Sequence, residues 1–173
     1  MVRSIGIRRE DKNNWERRVP LVPEHVRALQ SRHAVEVVVQ PSPQRVYRDH
    51  EFEQVGARVR EALEACSLIL NVKEIPPEKI LRDKIYILFS HTIKGQQYNM
   101  PMLKRFLDQR CTVIDYERIT DDEGKRLVFF GRYAGMAGMI ETLRALGLRW
   151  QRRGFSTPLQ QIQPAFEYAS SSE

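Results

Sequence analysis

Three short apolar runs of the chain are each followed at once by side chains that can transfer protons or carry charge. These residues are Lys73 and Glu74 after residues 68–72, His91 after residues 85–90, and Tyr116 and Glu117 after residues 112–115. Continuous apolar runs of this length are typical of strands that are covered on both faces of a parallel sheet. Because ligands bind beyond the carboxyl ends of such strands, the three segments predict a site for acid–base chemistry.

Each of these residues also has an ordinary structural interpretation. A lysine after a strand is usually a solvated loop residue, and an isolated histidine usually has a structural role. A lysine, a histidine and two carboxylates at one sheet edge, however, supply a general acid, a general base and charged anchors together. This convergence favours the catalytic interpretation.

A pair of arginines, Arg17 and Arg18, follows the first apolar run within residues 16–23. A planar guanidinium group at this place can bind a carboxylate through two parallel hydrogen bonds. The same pattern fits a surface arginine pair that leads into a helix begun by Pro23. The sequence pattern leaves both interpretations open.

The elements that must position these residues alternate along the first 150 residues. The predicted strands are residues 4–7, 35–39, 68–72, 85–90, 112–115 and 127–130, and the predicted helices or helical turns are residues 24–31, 61–65, 77–81, 99–109 and about 132–150. This alternation predicts an α/β fold in which an open parallel sheet has helices on both faces. Residues 1–150 then form one domain, and residues 151–173 form an irregular tail.

The composition excludes several classes of protein. The chain has 173 residues, of which 42% are hydrophobic, and this is enough for one globular domain with a core. Its formal charge of +6 comes from scattered residues and arginine pairs, so nucleic-acid binding is not expected. No run is long enough to span a membrane, and the charged N-terminus does not form a signal peptide.

Cysteine and histidine usage adds to this picture. Cys66 and Cys111 lie in apolar stretches far apart in the sequence, which is typical of reduced core thiols and predicts a cytoplasmic protein. The four histidines are too widely spaced to predict a metal site. The sequence contains neither a G-x-G-x-x-G dinucleotide fingerprint nor a P-loop.

Six segments together resemble a known family. They are IRRED (7–11), WERRVPLVP (15–23), ILNVKEIP (69–76), FSHTIKGQ (89–96), VIDYERI (113–119) and RLVFFGRYAGMAGMI (126–140). In this order and spacing they resemble the N-terminal domain of lysine-ketoglutarate reductase, the activity of the lysine-forming saccharopine dehydrogenases and of aminoadipic semialdehyde synthase. More distantly they are similar to the N-terminal domain of alanine dehydrogenase and transhydrogenase. The resemblance implies a Rossmann-like fold for this chain.

The resemblance also implies roles for individual residues. Lys73 and His91 correspond to the acid–base pair of a reaction that joins lysine to 2-oxoglutarate and reduces the resulting imine to saccharopine. The substrate site would be lined by Arg18, Glu74, Glu117, Arg126 and Phe130, with the two glutamates tuning the acid–base pair. Gln96 and Lys125 would reach toward the cofactor from this side of the cleft.

In this family a second domain carries the nucleotide fingerprint, which this sequence does not contain. The resemblance therefore implies that NAD or NADP binds only with a second domain or a separate cofactor-binding subunit. The chain would be an excised domain, a natural half-enzyme or a stand-alone relative. The glycines at 131, 135, 138 and 147 of the last helix are explained by close packing against another helix or domain, or by a merely flexible helix. An apolar helix face left open there also predicts a homo-oligomer or a docked partner.

Two further functions remain open. A non-catalytic module that binds an amino acid or a 2-oxo acid is favoured by the missing nucleotide fingerprint. The corresponding domain of an alanine dehydrogenase is the other, but the IRRED and FSHTIK segments fit the lysine branch better.

Overall fold

A computed structural model of the chain describes residues 4–168, which fall into two compact units that divide between Leu127 and Val128. The first unit is built on one sheet of six parallel strands. They are β1 (Ser4–Ile7), β2 (Glu36–Val39), β3 (Arg58–Val59), β4 (Leu68–Leu70), β5 (Ile85–Leu88) and β6 (Thr112–Asp115). Their order is β3-β2-β1-β4-β5-β6, so the direction of winding reverses between β1 and β4. The predicted open parallel α/β fold is confirmed.

Three helices connect these strands, together with short 3₁₀ turns. The helices are α1 (Pro23–His33), α2 (Asp49–Glu53) and α3 (Met100–Asp108), and the 3₁₀ turns are Pro77–Lys79, Thr92–Lys94, Gln97–Asn99 and Tyr116–Arg118. Pro23 is the first residue of α1, where its fixed φ favours the helix and its missing N–H costs nothing. The helix ends at Ala34, which has a left-handed backbone (φ 50°) and donates its N–H to the carbonyl of Gln30.

The core lies on both faces of the sheet. Along β2, Val37 and Val39 point to one face, where Val26 of α1 and Phe52 of α2 cover them. Val38 points to the opposite face, in a cluster that includes Tyr86 of β5 and Met102 and Phe106 of α3. Burial on both faces explains why the strands read as continuous apolar runs. Cys66 and Cys111 are both free thiols, with Cys66 inside this second cluster.

The predicted strand at residues 127–130 is wrong. Thr120 and Arg126 form an antiparallel bridge, so the chain folds back directly after β6. A further parallel strand would need a long crossover connection instead. The side chains of Leu127 and Phe129 are 58% and 57% exposed, which agrees with their lying outside the sheet.

Residues 61–65, predicted as a helical turn, form an extended loop with a tight turn at its end. Leu63 and Cys66 are both buried and pack closely against Gly6 of β1. Because these contacts hold the segment against the sheet, it does not form a helical turn. The sequence patterns also missed α2 and the two-residue strand β3, both of which are too short to show a clear periodicity.

The second unit contains α4 (Gly131–Gln151), followed by 3₁₀ turns at Pro158–Gln161 and Ala165–Glu167. Apolar side chains along α4 are exposed, among them Tyr133 and Met139. Gly147 packs against the backbone of Leu159 in the first of these turns. None of the helices within residues 4–168 has the length and apolar character that crossing a membrane requires.

Gly147→Ala should destabilise the second unit, because an added Cβ would lie only 2.5 Å from the carbonyl oxygen of Leu159. We expect the free energy of unfolding to fall by about 1–3 kcal/mol in a urea titration. The matched control is Gly138→Ala in the same helix, where a Cβ meets no atom of the described residues within 4 Å. That variant should gain up to about 1 kcal/mol from helix propensity. Equal effects of the two substitutions would contradict the packing of Gly147.

Candidate active site

Four neighbouring strands, β1, β4, β5 and β6, end at one edge of the sheet, next to the point where the winding reverses. Lys73 follows β4, His91 follows β5 and Glu117 follows β6. The parallel register of these strands brings the predicted acid–base residues to a common edge. Open α/β sheets bind their ligands at this place.

Glu74 and His91 form a hydrogen-bonded pair. The Nδ1 of His91 lies 2.8 Å from Oε1 of Glu74, and the ammonium group of Lys12 lies 2.7 Å from Oε2 of the same carboxylate. The side chain of Glu74 is only 9% exposed. Burial by itself would raise the pKa of Glu74, but the bonds from Lys12 and His91 outweigh burial and lower it. Glu74 is therefore an ionised partner that orients the imidazole ring.

The backbone and the ring of His91 are both constrained. The backbone of His91 has a left-handed conformation (φ 52°). This conformation costs energy in a residue other than glycine, and residues that adopt it occur frequently at functional sites. Its ring stacks against Phe89, with 6.4 Å between ring centroids, and Phe89 in turn lies 5.0 Å from the ring of Tyr116. These contacts hold His91 in one orientation.

The carboxylate of Glu117 forms ion pairs with two basic side chains. Its Oε1 lies 2.9 Å from Nζ of Lys94 and 3.4 Å from Nη1 of Arg126. The predicted residue Arg126 thus joins the same edge as Glu117. Gln96 is exposed two residues after Lys94 and accepts a hydrogen bond from the hydroxyl of Tyr98.

Lys125 lies beside Arg126 in the hairpin closed by the bridge from Thr120 to Arg126, and it is exposed. Its backbone N–H donates to Asp121 at 2.7 Å. Phe130, the residue before α4, belongs to the second unit, where its side chain is 42% exposed.

Arg18 forms a two-point ion pair with Glu16. Nε and Nη2 of the guanidinium lie 2.8 Å and 2.6 Å from the two carboxylate oxygens. Burial tends to raise the pKa of Glu16, but the bonds from Arg18 and the nearby charge of Lys73 lower it. The influence of Lys73 on Glu16 shows that the arginine loop after β1 and the lysine after β4 are electrostatic neighbours.

Glu10 is the central residue that the sequence analysis missed. It lies three residues after β1, is 6% exposed and accepts three hydrogen bonds. The donors are the backbone N–H groups of Val72 (2.6 Å) and Lys73 (2.9 Å) and the amide Nδ2 of Asn71 (3.3 Å). The strand-end rule that selected Lys73 would have selected Glu10 as well if it had been applied to β1.

Burial raises the pKa of Glu10 from 4.5 to about 7, against the two backbone hydrogen bonds, which lower it. The negative charge of Glu16 also raises the pKa of Glu10, whereas the positive charge of Arg8 lowers it. Burial, together with the charge of Glu10, raises the pKa of the Tyr116 hydroxyl. Glu10 is therefore a buried titratable group in contact with the backbone of the predicted catalytic lysine.

The residues after β1 do not fit a dinucleotide. In doubly wound folds the diphosphate group binds at a short glycine-rich turn that opens the first helix. Here a long loop separates β1 from α1, which begins at Pro23, and the buried carboxyl of Glu10 lies where this turn would be. A carboxylate repels a diphosphate. Within residues 4–168, no three His, Cys, Asp or Glu side chains are grouped as a metal site would require.

Comparison with known proteins identifies the family. Residues 6–137 match the family described as alanine dehydrogenase/PNT, N-terminal domain. The chain belongs to this family. It is 42% identical to the mitochondrial alpha-aminoadipic semialdehyde synthase of Rattus norvegicus over 169 residues, which are 98% of this chain and 18% of that protein. The Arabidopsis thaliana synthase is 43% identical over 96% of this chain and 16% of its own length.

A shorter relative is the NAD(+), L-lysine-forming saccharopine dehydrogenase of Yarrowia lipolytica, which is 35% identical over 75% of this chain and 36% of its own length. Among solved structures, an L-alanine dehydrogenase matches with a TM-score of 0.65 and 20% identity, over 87% of this chain and 42% of that one. A transhydrogenase from Sinorhizobium meliloti matches with a TM-score of 0.56. The relatives confirm the resemblance seen in the six segments, and the chain spans less than a fifth of the length of the synthases.

The raised pKa of Glu10 predicts how stability depends on pH. Between pH 4.5 and 7 the unfolded chain releases this proton while the folded chain retains it, so stability falls as the pH rises. The loss is on the order of 3 kcal/mol. Urea titrations from pH 5 to pH 8 should show this decrease in the wild type and not in Glu10→Gln.

The control is Glu53→Gln at the exposed end of α2, which should keep the wild-type dependence on pH. The lowered pKa values of Asp11, Glu16 and Glu74 act at lower pH and do not contribute in this window. A wild-type stability that stays flat from pH 5 to pH 8 would contradict the raised pKa of Glu10.

Proposed function

We propose that this chain is the substrate-binding and acid–base domain of a saccharopine-forming lysine–2-oxoglutarate reductase. The observation that carries the proposal is the Glu74–His91 pair beside Lys73 at the edge where the winding of the sheet reverses. The relatives described above support it, since they are named aminoadipic semialdehyde synthases and a lysine-forming saccharopine dehydrogenase. The substrates are lysine, 2-oxoglutarate and saccharopine.

The reaction needs several proton transfers, which suit this pair of residues. The ε-amine of lysine attacks the keto carbon of 2-oxoglutarate, water leaves, and a hydride reduces the imine carbon to give saccharopine. Lys73 and His91 take and return protons at the nitrogen and at the departing oxygen. Glu74 holds the His91 ring by its Nδ1, which leaves Nε2 as the atom that exchanges protons with the substrate.

Arg18 and Arg126 recognise the substrate carboxylates. Glu16 and Glu117 hold these guanidinium groups in place through the ion pairs described above. A guanidinium that is already oriented loses less entropy when it binds a carboxylate.

NADH or NADPH would supply the hydride and leave as NAD or NADP, and a second domain or a separate subunit would bind it, because the residues after β1 do not fit a dinucleotide. Gln96 and Lys125 would reach toward that cofactor. They lie in two loops that the ion pairs of Glu117 with Lys94 and Arg126 hold together. The exposed apolar side chains of α4 favour a partner or a second copy of this chain at that helix. We place the protein in the cytoplasm, a reducing compartment that suits its two free cysteines.

Binding of the substrate acids should depend on Arg18. In calorimetry with the purified chain, we expect saccharopine and 2-oxoglutarate to bind the wild type and to bind Arg18→Ala about tenfold to a hundredfold more weakly, because a charged hydrogen-bonded pair is lost. The matched control is Arg17→Ala, whose Nε donates to the carbonyl of Gln44 instead of pairing with Glu16. Its affinity should equal that of the wild type.

Two outcomes would argue against this function. If the folded chain binds neither acid at millimolar concentration, the substrate site is not in this chain. If pyruvate binds and 2-oxoglutarate does not, the chain is the corresponding domain of an alanine dehydrogenase.

His91→Asn should abolish proton transfer without removing the ligand site. With a cofactor-binding domain or subunit supplied, we expect saccharopine formation to fall by about a hundredfold or more, while 2-oxoglutarate binding stays within a factor of about two. His25→Asn, on the exposed face of α1, is the control and should retain full turnover.

A second candidate function is a non-catalytic module that binds an amino acid or a 2-oxo acid. The misfit between the Glu10 region and a dinucleotide favours it. In that case the chain binds its acid through Arg18, and His91→Asn changes no turnover in any assembly. The His91→Asn measurement therefore separates the two functions.

A further inference from the structure

Glu10 joins the end of β1 to the end of β4. Its Oε1 accepts the backbone N–H of Val72 at 2.6 Å, and its Oε2 accepts that of Lys73 at 2.9 Å. We propose that Glu10 is a positioning residue that determines where Lys73 leaves the sheet. The proposal rests on the proposed function, because the position of Lys73 matters for turnover only if Lys73 takes part in the reaction.

The backbone pattern shows why a side chain is needed here. The ladder between β1 and β4 ends with Ile7 opposite Leu70, and the N–H of Arg8 then donates to the carbonyl of Leu70. The N–H of Asn71 donates to Ile87 of β5 at 3.0 Å. The chain then bends at Val72 and Lys73, and the amides of both donate to Glu10 instead of to a strand.

Two consecutive amide bonds are thereby fixed. Each peptide unit is planar, and the unit that contains the N–H of Lys73 also contains its Cα atom. Anchoring this N–H to a buried carboxyl group consequently fixes the position from which the lysine side chain extends.

Among the described residues 4–168, no contact of the Lys73 side chain adds to this anchoring. Within the part of the chain that the structure describes, Nζ of Lys73 makes no hydrogen bond and no ion pair within 4 Å. The charge of Glu16 acts on this amine from nearby, but within residues 4–168 the hydrogen bonds that hold Lys73 are those of its backbone. Lys73 is thus held through its backbone, whereas His91 is held through its imidazole ring, which is hydrogen-bonded to Glu74.

The geometry requires a carboxyl group. Two N–H donors meet two different oxygens of Glu10, and a glutamine offers one oxygen and an NH₂ group that is itself a donor. In Glu10→Gln, the backbone N–H of either Val72 or Lys73 must face the NH₂ group of the glutamine side chain, and that N–H loses its acceptor. The substitution preserves side-chain volume, so it tests the hydrogen bonds with little change in packing.

The test follows the amides of Val72 and Lys73 by NMR in the whole chain. In the wild type both amide proton resonances should move together with a midpoint near pH 7, as Glu10 gains and loses its proton. In Glu10→Gln this shared movement should be lost. Hydrogen exchange should accelerate at one or both amides by about tenfold to a hundredfold, as expected for a lost charge-assisted hydrogen bond.

A chemical measurement on the same samples reports the lysine itself. Reductive methylation of Lys73 should be faster in Glu10→Gln than in the wild type, because the loosened backbone exposes the amine. Lys79 and Lys84 are internal controls whose rates should not change, and Glu53→Gln should match the wild type throughout.

The proposal is overturned if exchange at Val72 and Lys73 is unchanged in Glu10→Gln, or if exchange accelerates equally at every strand. If that variant does not fold, hydrogen exchange in the wild type decides, and Val72 and Lys73 amides that exchange as fast as the amides of exposed loops refute the proposal. Saccharopine binding is measured separately. A wild type that binds no saccharopine refutes the proposed function, while the exchange data still report whether Glu10 holds Lys73.

Discussion

The pairing of β1 with β4 organises the site. These two strands lie next to each other although α1, β2, α2 and β3 separate them in the chain, and the winding of the sheet reverses between them. Beyond the last ladder bond the strands diverge, and the carboxyl group of Glu10 fills the space with three hydrogen bonds. Folds of this class commonly bind a ligand anion at such a reversal. Here the carboxyl group of Glu10 occupies this place.

The charges at this edge are arranged so that each acidic group has basic neighbours. Glu74 contacts Lys12 and His91, Glu117 contacts Lys94 and Arg126, and Glu16 contacts Arg18. Such contacts keep the side chains oriented before a ligand arrives, and they lower the pKa of Glu16 and Glu74. Glu10 differs, since backbone and amide donors replace the cations and its pKa rises to about 7. One edge thus combines ion-paired carboxyl groups with a buried carboxyl group whose pKa is raised by burial.

The fold explains why this domain and alanine dehydrogenase share an architecture at only 20% identity. The parallel sheet and its order impose the common framework, whereas the chemistry depends on the residues that follow each strand. The match to the aminoadipic semialdehyde synthases, at 42% identity, extends over 98% of the chain. The structural likeness by itself indicates only the fold.

Periodicity and strand-end chemistry in the sequence determined the parallel α/β class, five of the six strands and the helices α1, α3 and α4. They also determined that Lys73, His91 and Glu117 follow strands that end at one edge of the sheet. These features depend on local patterns that burial on two faces imposes on every strand. Tertiary structure decided the rest. The contacts of Glu10 with Val72 and Lys73 join residues more than sixty positions apart. The chain turns back at Arg126, so residues 127–130 do not form the expected strand. Leu63 is buried in the core and does not belong to a helix. The contacts of Glu10 and Leu63 depend on which distant groups meet, and no local pattern encodes them.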